Sequence, residues 1–179
     1  MGFKVAYSQP KTLLDISAEL LSFGKLTGNL TQAKQVTTAF TERLEAITQQ
    51  YRSKTAIKVF YELWHEPLST VAAGSWPQIH LDICGAQNVF LNAVNSYPQV
   101  SIEQVLKKQP QIIIQPLSIN QTDKKGYQWS KWPVIHAVKN NQIIRPDADI
   151  LHRMTPRVLD ELNNLCQQIE IAREFYLKH

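Results

Sequence analysis

The chain has 179 residues, 44% of them apolar and 19% charged, with a net charge of +4. That length suits one domain or a little more, at roughly 100–200 residues per domain, and the apolar share is enough to build a buried core. The basic residues are scattered, as in the pairs at 107–108 and 124–125, so there is no dense stripe of the kind that tracks nucleic-acid phosphates.

The opening stretch MGFKVAYSQPKTLL has neither the charged start nor the apolar run of a signal peptide, and Ala6 breaks the myristoylation pattern begun by Met1 and Gly2. Nowhere do about 18 apolar residues run together, as a membrane-spanning helix needs. FKVAYS (3–8) predicts a short buried strand. KTLLDISAELLSFGKLTG predicts a helix with Leu13, Leu14, Ile16, Leu20 and Leu21 as its apolar positions, ending near Gly24 or Gly28.

Residues 31–52 predict the clearest helix. Val36, Phe40, Leu44, Ile47 and Tyr51 recur at steps of three and four and keep one apolar stripe. At 1.5 Å per residue such a helix is about 33 Å long. TAIKVFYEL (55–63) then predicts a strand, and SWPQIHLDICG (75–85) a helix with Pro77 in its first turn and Gly85 after its end. The short apolar run NVF (88–90) precedes a helix at about 102–108 and a strand over QIIIQP (111–116). Residues 126–138 predict a partly helical segment, QIIRP (142–146) a strand, and 156–177 a closing helix. Strands alternating with helices indicate βαβ units, so the fold class is α/β, with a mainly parallel sheet flanked by helices.

Catalytic and metal patterns do not stand out. Histidines 65, 80, 136, 152 and 179 show no HxH or HExxH spacing, and no glycine-rich phosphate loop or GxSxG elbow is present. Cys84 and Cys166 read equally as two buried thiols or as one disulfide. A bridge closing so long a loop would stabilise by roughly 4 kcal/mol in the chain-entropy picture.

The stretch YPQVSIEQVL (97–106) reads as a display. Ser101 and Gln104 have capping-box spacing, which puts Glu103 in the first turn of the following helix. There the helix dipole favours a carboxylate, and a carboxylate so held is also aimed to meet an arginine on a partner. Tyr97 reads either as a loop aromatic tucked onto the core or as a flat face beside Pro98 for stacking a planar ligand. Trp64 and His65 follow a strand at the end where α/β clefts bind ligands, so Trp64 reads as a ligand-contacting cleft residue or a core tryptophan, and His65 as a cleft contact or a solvated side chain. Trp76 reads as hinge or core packing, and Trp129 and Trp132 as core of a short helix.

PLSTVAAGSW, ICGAQNVF, YPQVSIEQVL, DILHRMTPR and the LC of the last helix together resemble the helical-backbone periplasmic binding proteins that serve ABC importers. Within that family the chain is most similar to the cobalamin-binding members, over nearly its whole length. The resemblance implies a Rossmann-like C-terminal lobe at 54–179, an inter-lobe backbone helix at 29–53, and a remnant of an N-terminal lobe at 1–28. It implies that the rest of that lobe is missing here, through a truncated gene, a start site assigned too late or a fragment of a longer chain, which would leave the apolar faces of residues 3–24 without their own sheet.

The implied roles are specific. Tyr97 stands where members of the family place an aromatic against the corrin, and Asp149 and Arg153 match the pair that hydrogen-bonds the ligand's side-chain amides and nucleotide loop. Glu103 matches the glutamate that docks onto the membrane permease, and Cys84 and Cys166 match a disulfide. The resemblance thus implies a monomeric periplasmic carrier of cobalamin, with no catalytic residue, metal or cofactor of its own. Haem or ferric-siderophore cargo in the same family, with Tyr97 or His65 as an axial ligand to haem, is an alternative reading. A small α/β enzyme working at 64–69 and 147–153 is a rival of another class, and a ligand-free interaction module a third.

Overall fold

A computed structural model describes residues 5–118 and 126–178. The elements in chain order are α1 (Leu13–Leu26), α2 (Leu30–Tyr51), β1 (Ile57–Tyr61), β2 (Trp64–His65), β3 (Leu68–Ser69), α3 (Trp76–Ile83) and β4 (Ala86–Asn88). They continue with α4 (Ile102–Lys108), β5 (Ile112–Ile114), a 3-10 turn at Trp129–Lys131, α5 (His136–Lys139), β6 (Ile143–Ile144), α6 (Ala148–Leu151) and α7 (Val158–Lys178).

The main sheet runs in the order β4-β1-β5-β6, and all three pairings are parallel. Its register places Tyr61 opposite Ile114 and Ile114 opposite Ile144. β5 is three isoleucines, all fully buried. A parallel strand covered by helices on both faces calls for such an unbroken apolar run. Alternation along β1 sends Ile57, Val59 and Tyr61 into one core with residues of α1, α2, α3 and α7. It sends Phe60 into a second core with Ile113, Val105, Trp129 and Ile135. The α/β class is therefore as the alternation of elements predicts.

The N-terminal strand predicted at 3–8 is not formed over its described part. Residues 5–8 lie outside any strand with Val5 and Tyr7 exposed, and residues 3 and 4 lie outside the described residues. No neighbouring strand is at hand to pair with this segment among the described residues. Its polar groups turn to α1 instead, where the Ser8 hydroxyl and the Gln9 N–H both donate to the Glu19 carboxylate. α1 itself buries Leu13 and Ile16 in the same core as Phe40 and Leu44 of α2, which accounts for part of the apolar surface of residues 3–24. Gly24 is where the two helices meet most closely: a Cβ there would stand 2.3 Å from that of Ala33.

Two elements went unread in the sequence. The β2–β3 hairpin has two residues per strand and α6 has four in all, too few for any periodicity to show. Both lie at the end of the sheet where the candidate site is found.

Candidate functional site

In open parallel sheets the ligand crevice forms beyond the carboxyl ends of the strands. Four connections leave that end here: Glu62 to Trp64 after β1, Val89 to Tyr97 after β4, Gln115 to Ser118 after β5, and Arg145 to Asp149 after β6.

Tyr97 is 52% exposed, so its ring is a surface feature and not a core plug. Its N–H donates to Asn95 Oδ1 at 3.1 Å, and its hydroxyl accepts from the Trp76 backbone N–H at 3.3 Å. Trp76 is buried, and its indole N–H donates to the Leu151 carbonyl at 3.2 Å. Ser75 caps the helix that Trp76 begins, accepting from the Gln78 N–H at 3.3 Å with Pro77 in the first turn. The first turn of α3 therefore ties the Tyr97 loop to α6.

α6 carries Asp149 on its surface and is followed by Arg153. The two side chains pair at 3.8 Å with Arg153 largely exposed. Ser118 donates to the Asp149 carboxylate, and the Asp149 N–H donates to Asp147 Oδ1 at 2.8 Å as part of the α6 cap. From below, His152 Nε2 and the Tyr61 hydroxyl share a hydrogen bond of 2.8 Å. Burial holds the His152 imidazole below its usual pKa, with Asp149 pulling the other way.

The structure thus brings Tyr97, Asp149 and Arg153 to one end of the sheet, coupled through Trp76 and Leu151. Trp64 reaches that end separately. It is 60% exposed, donates to the Glu66 carbonyl at 3.0 Å and lies 5.3 Å from the His65 ring. Its hairpin partner Ser69 bridges to Gln99, which links the hairpin to the Tyr97 loop. A hollow of about 800 Å³ lies beside this hairpin, walled by His65, Pro67, Tyr127 and Trp132; Tyr97, Asp149 and Arg153 are not among its lining residues. The surface they form is an open wall.

Glu103 stands apart on α4. The capping box forms, with Ser101 Oγ accepting from the Gln104 N–H at 3.4 Å and Gln104 Oε1 from the Ser101 N–H at 2.8 Å. Val105 faces the second core while Glu103 faces solvent. Hydrogen bonding from Ser101 and from its own backbone N–H holds the Glu103 carboxyl below the ordinary range. Cys84 and Cys166 form a disulfide that ties the end of α3 to α7. Arg173, buried on α7, donates to the carbonyls of Thr55, Cys84 and Gly85 and pairs with Glu170.

Trp76 is the contributor that sequence reading undervalued. Hinge or core packing describes its buried ring but not its two hydrogen bonds to the site. The signal available was its place at the first turn of a capped, proline-bearing helix.

The profile of the Periplasmic binding protein family matches residues 5–150. The chain is 36% identical over 175 residues to the vitamin B12-binding protein of Vibrio cholerae, covering 97% of this chain. It is likewise 36% identical over 168 residues to the vitamin B12-binding protein of Vibrio vulnificus, covering 93% of this chain. The crystal structure of the periplasmic vitamin B12 binding protein BtuF of Vibrio cholerae superposes with a TM-score of 0.84 at 37% identity, over 96% of this chain and 67% of that one. The chain belongs to the periplasmic binding protein family. It spans 62% and 60% of the length of the two curated relatives.

Proposed function

We propose that this chain is the greater part of a carrier that captures cobalamin in the periplasm and hands it to the permease of an ABC importer. The supporting observation is the surface fastened by Trp76, where an exposed aromatic and an oriented Asp149–Arg153 pair share one end of an α/β sheet. The similarity to vitamin B12-binding proteins supports the choice of ligand. Tyr97 covers one face of the corrin with Trp64 at its margin, and Asp149 and Arg153 engage the ligand's amide side chains. No bond is made or broken. Glu103, charged and outward on α4, meets arginines of the permease.

On this reading residues 54–179 are the ligand-bearing lobe, 29–53 its connecting rod, and 1–28 belong with a further lobe. The chain then offers one wall of a cleft, so its own affinity for cobalamin is micromolar or weaker, because a clamp's second wall supplies much of the buried area. Calorimetric titration with cyanocobalamin is the test. Weak saturable binding, lost in the Asp149→Ala/Arg153→Ala double variant, is expected. Binding that survives the double variant unchanged, or no binding at all, contradicts the reading.

A further inference from the structure

A row of polar side chains crosses the sheet at its carboxyl end. The Glu62 N–H donates to the Ile114 carbonyl at 2.8 Å and the Gln115 N–H to the Ile144 carbonyl at 2.9 Å, carrying the parallel pairing one residue past the strands. Glu62, Gln115 and Arg145 therefore occupy one rung on three adjacent strands. By alternation they share the face of Phe60, Ile113 and Ile143.

Two members of the row are buried, Glu62 at 5% exposure and Gln115 at 3%. The Glu62 carboxylate accepts three N–H bonds: from Gln115 Nε2 at 2.7 Å, from the Trp129 indole at 2.6 Å and from the Tyr127 backbone at 2.8 Å. Gln115 Nε2 also donates to the Tyr127 carbonyl at 3.0 Å. With its NH2 group committed on that side, the amide must present its oxygen on the other. There it accepts from Arg145 Nε at 3.0 Å.

A buried carboxylate costs free energy unless its hydrogen bonds are complete, and these bonds also remove the amide's freedom to flip. The result is an exposed arginine whose orientation is set from the core. Its bond to Gln115 uses one of five N–H donors. Among the described residues Arg153 is matched by Asp149, whereas the bonded partner of Arg145 is a neutral amide. The planar fork of a guanidinium suits a phosphate better than a point charge does.

We propose that Arg145 is a further ligand-binding residue, one that reads an anionic phosphodiester oxygen, and that Glu62 and Gln115 are its positioning residues. This rests on the cobalamin reading, since cobalamin carries a single phosphodiester among neutral amides. The test compares cyanocobalamin with dicyanocobinamide, which lacks that phosphodiester, on the wild-type chain and on Arg145→Gln. The substitution is expected to weaken cyanocobalamin binding about tenfold while moving cobinamide by less than about twofold. Arg145→Lys should recover part of the loss. Equal losses for both ligands, or no loss for either, overturn the Arg145 assignment alone. A wild-type chain that binds neither overturns the cobalamin reading and this assignment with it.

Discussion

The Tyr97 hydroxyl and the Trp76 backbone N–H are joined at 3.3 Å, and the same Trp76 reaches Leu151 through its indole. A loop aromatic and a one-turn helix are thereby referred to a single buried residue, the first through its backbone and the second through its indole. Trp76→Phe keeps the edge contact with His80 but leaves the Leu151 carbonyl without its donor. The expected cost is about 1–2 kcal/mol in urea unfolding, with a several-fold loss of cobalamin affinity. Unchanged affinity would show that α6 holds its place without the tryptophan.

His80 sets a dependence on acid. It is fully buried against Trp76 with neither ring nitrogen hydrogen-bonded among the described residues. Burial, helped by the nearby His152, pushes its pKa down to about 3. In the unfolded chain it titrates near 6.5. Between those values the unfolded chain holds the extra proton, so stability falls as pH drops through the window, by up to about 1.4 kcal/mol per pH unit. His152, also lowered by burial, contributes in the same sense from the upper end. His80→Leu should flatten the profile between pH 6 and 4 (approximate bounds of the steep region) and leave neutral-pH stability equal or higher. A profile as steep as that of the wild type would exclude His80 as its source.

Reduction of the Cys84–Cys166 bridge should destabilise the fold. The cysteines are 82 residues apart in sequence, and freeing so long a loop costs about 4 kcal/mol in the chain-entropy picture. The Arg173 bonds to Cys84 and Gly85 keep the α3–α7 junction in place, so the reduced protein should remain folded with a lower thermal midpoint. Equal midpoints with and without dithiothreitol would mean that the bridge adds nothing.

Glu103→Gln separates delivery from capture. The carboxylate is solvent-facing on α4 and bonds to its own capping turn, not to Tyr97, Asp149 or Arg153, so cobalamin affinity and thermal midpoint should be nearly unchanged. Binding to the reconstituted permease should fall at least several-fold, as expected for loss of one charge-assisted contact. Undiminished binding would remove Glu103 from the docking surface.

Much of the fold was legible because its signals are local and repetitive. α2, with Phe40, Leu44, Ile47 and Tyr51 buried on one stripe, and the three isoleucines of β5 need no tertiary context to be read. Ser101 and Gln104 announced the cap of α4 in the same way. The described part of FKVAYS, residues 5–8, misled because its apolar residues suit a strand, yet among the described residues no neighbouring strand pairs with it. The polar row Glu62–Gln115–Arg145 was invisible for a related reason. Its members are far apart in sequence, and only the parallel register sets them side by side.

The most direct measurement is residue-resolved chemical-shift mapping of the chain during titration with cyanocobalamin. The largest perturbations should fall on Tyr97, Asp149 and Arg153, at the carboxyl end of the sheet, with Lys58 and His136 near its opposite end unmoved. Perturbations centred on the hollow between His65 and Trp132, or scattered without saturation, would contradict the assignment of that wall as the cobalamin site.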